Sequence, residues 1–260
     1  MIIFEIMRAN INTIQPVISE KFSGFIWKIK VQEEMGLLAI ESRNSDLKQV
    51  AFSVLNFING NVHFKEITYN EKWNLNLAYI GKENLIINSY ANADSPESKG
   101  ILSVNLENGS VIWEKFNISL NHVQDSGLQV YDPRFQPRKY SWIDHITSNV
   151  LDAQSNKLVH ESTIIFPETD NSISLPLFIT HGQIAGDISA LSISGKKIVS
   201  FHEVKDDFFE QRIIVYQGDR ILIDDIMISG IQKLQPEAFF IQQNHLLYIR
   251  DKQEIISHLV

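Results

Sequence analysis

The chain has 260 residues, 44% of them apolar, enough to bury most of its surface in one large core or two modest ones. Asp and Glu outnumber Lys and Arg 31 to 23, a formal charge of -8 with a pI near 5.5, so the molecule as a whole repels phosphate backbones and anionic lipid, and neither nucleic acid nor a membrane is an expected partner. There is no cysteine, which excludes disulfides and thiolate metal sites.

The first stretch, MIIFEIMRANINTIQPVISEKF (1–22), lacks a basic leader region and is broken by Glu5 and Arg8, so it does not read as a signal peptide. No window approaches the ~18 uninterrupted apolar residues of a membrane span. A soluble, cytoplasmic protein is the expectation. From there on, apolar residues alternate in short runs that end at Gly, Asn, Asp or Pro, and sustained i, i+3, i+4, i+7 patterns are missing. The chain reads as all-β. In LENGSVIWE (106–114), Asn108-Gly109 is placed to take the positive φ angles of a tight hairpin turn between two strands. The same plan of strand, polar turn and strand recurs in AFSVLNFINGNVHFKEI (51–67), ILSVNLENGSVIWEKF (101–116), KYSWIDHITSNVLDAQ (139–154), RIIVYQGDRILIDDIM (212–227) and LLYIRDKQEIISHLV (246–260). A longer pairing, 36–67 with 196–227, keeps strands and acidic loops in similar order.

Repeats of roughly 40–50 residues with four short strands each predict a β-propeller, in which small sheets bury their faces against one another around a channel. The blades fall near 25–67, 73–117, 119–165, 186–228 and 238–260. The last span holds only three strands, so a strand from 2–18 is expected to complete it and close the ring. Segment 157–181 fits poorly and reads as an insertion or as half of a sixth blade; the strand count of about 23 favours five blades and leaves six possible. No linker or low-complexity tract divides the chain, and 1–260 is expected to be a single propeller domain.

The pattern G-x-(V/I)-x-W after a polar turn, as in NGSVIW (108–113) and more loosely GFIW (24–27), resembles the repeat of quinoprotein-like propellers. That class pairs a vicinal disulfide with a calcium-bound quinone, and a cysteine-free chain lacks the disulfide. The overall length and FSGFIWKIKVQEEMGLLAIESRN (22–44) also look like an uncharacterised bacterial family of small propellers without assigned function. The resemblance implies the fold and leaves the activity open.

Trp27, Trp73 and Trp113 recur near strand starts and are expected to wedge between adjacent blades rather than stack on ligands. His202 and Asp206 are four apart in an extended, loop-like stretch, which points to a solvated acidic loop in preference to a metal site. Asp206-Asp207 and Asp224-Asp225 are sequence neighbours, and neighbours on a strand face opposite ways, which makes a working acid–base pair improbable. No P-loop, G-x-G-x-x-G or G-x-S-x-G motif is present, and no cofactor, metal or catalytic residue is assigned. The unusual stretch is QDSGLQVYDPRFQPRKYSWIDH (124–145). Arg134 and Arg138 suit a carboxylate or phosphate, with Tyr131, Tyr140 and Trp142 as a stacking surface. If 139–146 is a strand, Tyr140, Trp142 and Asp144 share one face and His145 takes the other. The alternative is that these aromatics pack between blades and the arginines pair with aspartates at the rim. The functional expectation is a non-catalytic binding module for a protein or a small polar ligand. The other reading is an enzyme acting on a carbohydrate or similar polar substrate in the channel, and a quinone-bound redox propeller ranks last.

Overall fold

The computed structural model describes residues 14–90, 98–124, 126–152, 163–236 and 239–260. Among them the chain forms 21 strands and no helix, arranged in five antiparallel sheets. It follows that no helix here is long and apolar enough to cross a membrane. After β1 (Ile18–Lys21), the first sheet is β2 (Phe25–Gln32), β3 (Leu37–Asn44), β4 (Gln49–Asn56) and β5 (Val62–Ile67). The second is β6 (Leu75–Ile80), β7 (Asn84–Tyr90), β8 (Ser98–Asn105) and β9 (Val111–Phe116). The third is β10 (Ser119–Gln124), β11 (Gly127–Tyr131), β12 (Tyr140–Ile143) and β13 (Val150–Leu151). The fourth has five strands, β14 (Glu168–Asp170), β15 (Ile184–Ile193), β16 (Lys196–Lys205), β17 (Phe208–Gln217) and β18 (Arg220–Ile231). The fifth consists of β19 (Phe240–Gln242), β20 (His245–Arg250) and β21 (Glu254–Leu259), with β1 as its outer strand beside β21.

Every sheet formed by consecutive strands keeps chain order, as hairpin-linked meanders do. The strand expected within 2–18 to complete the last sheet is instead Ile18–Lys21, antiparallel to β21 with Ile18 opposite Ser257; residues 2–13 lie outside the described residues. Segment 157–181 does not start a sixth sheet among the described residues. Its strand, β14, adds to the edge of β15, and Ile165 makes an isolated bridge to Ile241 beside β19.

The chain divides into two compact units, 22–162 with the first three sheets, and 1–21 with 163–260 carrying the fourth and fifth. Within the first unit, Leu37, Ala39, Val50, Phe52 and Val54 of the first sheet pack against Leu75, Leu77, Leu85, Ile87 and Val104 of the second. The opposite face of the second sheet, with Ile86 and Ile101, meets Leu128, Val130 and Ile143 of the third. Each of the buried Leu, Ile, Val and Phe side chains stabilises the fold by roughly 1.5–3 kcal/mol relative to exposure. Trp73 and Trp113 sit at these two seams, as expected, whereas Trp27 is 66% exposed and does not. In the second unit, Ile198, Ile213, Val215 and Ile223 of the fourth sheet pack against Leu246, Tyr248 and Ile256 of the fifth. The other face of the fourth sheet is packed by Ile173, Leu175, Phe178 and Ile179 of the segment between β14 and β15.

The turns after β4, β8 and β12 are one device written three times. In NFINGN, NLENGS and DHITSN, the first side chain (Asn56, Asn105 or Asp144) accepts the backbone N–H groups two and three residues on. Its carbonyl accepts a fourth-neighbour N–H from Gly60, Gly109 or Ser148, all of which have positive φ. The turn at 105–110 is therefore a four-residue, side-chain-capped loop, and only Gly109 of the Asn108-Gly109 pair has positive φ. Two-residue turns occur in the fourth and fifth sheets, for example Ser194-Gly195 and Gln243-Asn244.

The turn at Gly109 also docks on the first sheet, because Tyr69 Oη donates to the Gly109 carbonyl at 3.0 Å and a Cβ there would lie 2.2 Å from Ile67 Cδ1. Gly109→Ala is expected to destabilise the protein by about 2 kcal/mol in urea unfolding. Ser148→Gly at the equivalent position should raise stability by about 0.5 kcal/mol, because it relieves the positive φ of a residue with a Cβ. Equal effects at the two sites would contradict their shared turn geometry.

Candidate ligand-binding site

Alternation along β10–β12 sorts the third sheet into a buried face and an open one. Leu128, Val130 and Ile143 point into the seam with the second sheet. On the other side Tyr131 lies directly across from Tyr140, Gln129 from Trp142, and His122 from Gln129. The Tyr131 and Tyr140 rings meet edge to face at 5.5 Å, and His122 and Trp142 do so at 6.4 Å. Asn121 Nδ2 donates to Gln129 Oε1 at 2.6 Å.

Residues 132–139 join β11 to β12 above this face. Asp132 Oδ1 accepts the Arg134 backbone N–H at 3.0 Å, and its carboxylate takes Arg134 Nε and Nη2 at 2.9 and 2.6 Å. Those hydrogen bonds hold the Asp132 carboxyl below its ordinary range. The Arg138 guanidinium lies 4.5 Å from the Tyr131 ring centroid, which helps bring Tyr131 to 7% exposure while Tyr140 stays 49% exposed. The arrangement brings Tyr131, Arg138 and Tyr140 together. Trp142 sits further down the same face against His122, and Arg134 is exposed but tied to Asp132.

The strand stops at Ile143, short of the expected 146. Asp144 leaves the shared face to cap the turn, taking the N–H groups of Ile146 and Thr147. The His145 carbonyl plugs into the second sheet, where it accepts hydrogen bonds from Asn84 Nδ2, Ser103 Oγ and Trp113 Nε1 at 2.5, 2.9 and 3.2 Å. His145 is thereby a joint between two sheets.

Sequence reasoning missed the ion networks inside the sheets. Arg212 donates to Asp224 through Nε at 2.6 Å, and through Nη1 to Glu203 and to the Thr180 carbonyl at 3.0 and 2.9 Å. Burial pushes the Glu203 carboxyl up, but hydrogen bonds from Lys205 and Arg212 outweigh it and hold it below the ordinary range. Asp225 faces the other way. It accepts from Tyr248 Oη at 2.6 Å and from Arg250 at 3.2 Å, and Arg250 also holds Glu254 at 2.9 Å. Burial, and next the Asp225 charge, push the Tyr248 hydroxyl up. Asp224 and Asp225 thus face opposite sides of β18, as strand alternation required. His202 is buried and accepts the Gln235 N–H at 3.1 Å, so it is not part of a solvated loop. No group of three or more His, Cys, Asp and Glu able to hold a metal occurs among the described residues.

A shallow cleft of about 350 Å³ lies in the first unit, lined by Thr68, Tyr69, Asn70, Glu71, Leu102, Val111 and Glu114. Backbone N–H groups, that of Asn74 foremost, hold the Glu71 carboxyl below its ordinary range.

Residues 31–113, which cover most of the first two sheets, match the model of a domain of unknown function, DUF4905. No curated protein matches the chain. The matched family is uncharacterised, in keeping with the second resemblance drawn from the sequence, and the match ends before the third sheet.

Burial lowers the imidazole pKa of both His202 and His258 from the ordinary 6.5. Both are neutral in the fold and take up a proton on unfolding below that pH, so their contribution is complete above pH 6.5 and is lost as the pH falls towards their folded values. Glu203, Glu254 and Glu71, lowered from 4.5, add a second loss below that value. Urea midpoints measured from pH 8 to 4 should begin to fall near 6.5, and less steeply in His258→Gln; a flat profile down to 4.5 would contradict the burial of these rings.

Proposed function

We propose that the five sheets are blades of one propeller domain, and that the protein works as a non-catalytic binding module. Its recognition surface is the arginine–tyrosine face of the third sheet, and its partner carries carboxylates. Three features support the propeller. Sheets keep chain order, β1 completes the fifth sheet, and consecutive sheets pack face to face at the three seams internal to the units. Ring closure would bury the outer faces that such stacking leaves over.

The observation that carries the binding reading is Arg138 stacked on Tyr131 beside the exposed Tyr140. Arg134, Arg138 and Lys139 set three cations against the single carboxylate of Asp132 in residues 131–142 of a chain whose net charge is -8. An anionic segment is drawn to such a patch by its net positive charge. Stacking on Tyr131 holds Arg138 in place, so little freedom is lost on binding. Trp142 and His122 extend the surface along the sheet for apolar contacts.

An enzyme working on a carbohydrate or other small polar substrate is the second reading. The feature that favours it is the cleft holding Glu71 and Glu114. Glu71 is spoken for by the Trp73 and Asn74 N–H groups at 3.0 Å, which suits an ionised structural acceptor better than a proton donor.

Calorimetric titration with a hexaglutamate peptide separates the two. Binding is expected to be saturable and to weaken with added salt. Arg138→Ala should reduce affinity by roughly tenfold; Arg134→Ala should cost less, because Asp132 already shields that charge, and Glu114→Gln should leave affinity unchanged. No binding, or binding indifferent to Arg138→Ala, would overturn the assignment.

A further inference from the structure

We infer that Trp27, Lys28 and Asn76 form a second ligand site, distinct from the face of the third sheet, whose ligand is a sugar acid: a pyranose ring bearing a carboxylate. The register between β2 and β3 slips between Ile26, opposite Ser42, and Lys28, opposite Glu41. Trp27 is the extra residue of that bulge, and a bulge re-aims its side chain. The indole is turned over the Arg43 guanidinium, 5.4 Å from its centroid, and the same guanidinium lies 5.3 Å from the Trp73 centroid. Arg43 is itself fixed. Its Nε donates to Glu41 Oε1 and its Nη2 to the Leu75 carbonyl, both at 2.7 Å, while Glu41 Oε2 takes the Leu77 N–H at 2.7 Å.

One face of the Trp27 ring is therefore backed by a rigid cation, yet the residue remains 66% exposed. Of the three tryptophans expected at sheet seams, it alone stays out. A large aromatic held still in the open presents contact area at low entropic cost.

The next residue supplies charge. Lys28 shares the Glu41–Arg43 face of the first sheet, and its half-buried ammonium donates to Asn76 Oδ1, a neutral amide, at 2.9 Å. Burial, and next the charge of Lys30, lower its pKa, while the charge of Glu41 opposes them. The carboxylate opposite, Glu41, is already engaged by Arg43 and the Leu77 N–H. An ammonium has three donors, and the Asn76 partner of this one is a neutral amide, so an incoming carboxylate adds a charge-assisted hydrogen bond. The wall at Trp27 is one-sided. That suits a ring with a C–H face to stack and hydroxyls to leave in water, whereas an aromatic acid would keep one apolar face wet.

The test is titration with trigalacturonate, maltotriose and benzoate, followed by calorimetry and by the tryptophan indole N–H signals in ¹H–¹⁵N spectra. Trigalacturonate should bind saturably and shift the Trp27 signal, with maltotriose weaker by roughly tenfold. Trp27→Ala should remove the binding, Lys28→Met should erase the preference for acid over neutral sugar, and both variants should melt at the wild-type temperature. The Trp142 indole signal on the third-sheet face should stay in place at the concentrations that shift Trp27, which keeps this site's success or failure separate from that of the third-sheet face; a shift of Trp142 without one of Trp27 would overturn the inference. No saturable binding of trigalacturonate, unchanged affinity in Trp27→Ala, or equal affinity for benzoate would overturn the inference.

Discussion

The outer side of β21 is covered by β1, a strand more than two hundred residues away in sequence. β1 pairs along it from Ile18 opposite Ser257 to Lys21 opposite Glu254, and Ser19 Oγ donates to Glu254 Oε1 at 2.7 Å across 235 residues of sequence. Without β1 the outer edge of β21 would be a row of unpaired backbone groups, open to water and to other strands. A pairing so remote in sequence carries the full entropy of closing the intervening chain, so it persists only because the fifth sheet is already packed on the fourth through Leu246, Tyr248 and Ile256. The fold is non-local in this sense: its first and last strands are secured by contacts made elsewhere.

The same economy governs the polar groups. In the interior, charged side chains are spent on joining strands: Arg212 ties β16, β17 and β18 to the Thr180 carbonyl, and Asp225 ties β18 to β20. Replacing Arg212 by an apolar residue takes from Glu203 and Asp224 the buried cation they share, which costs about 3–5 kcal/mol. These groups hold the sheets and are poorly placed to meet a ligand. The open face of the third sheet and the bulge at Trp27 differ, because there cations lie against aromatic rings near solvent.

Much of the architecture was legible in the sequence. Central strands such as β3 and β4 are marked by short apolar runs, Leu37–Ile40 and Val50–Leu55 interrupted only by Ser53, with turn residues beyond their ends. The hairpin repeats were visible because three successive sheets reuse one Asx-capped turn. The type of that turn was misread, since Asn-Gly alone does not reveal that an asparagine three residues earlier caps the loop. Segment 157–181 stands out in sequence as a misfit, but its pairing with β15 and beside Ile241 depends on distant partners. Tyr131, Arg138 and Tyr140 were singled out from composition and do come together. The role of Asp144 was missed because the strand ends one residue before it, and Trp27 was set at a seam because periodicity cannot register a bulge.

The pairing of β1 with β21 is what completes the fifth sheet, and amide hydrogen exchange tests it most directly. Peptides spanning 17–22 and 254–259 should exchange as slowly as those of β3 and β16, and lose protection together in denaturant. Rapid exchange at 17–22, like that of a free terminus, beside a protected β20 would contradict the account.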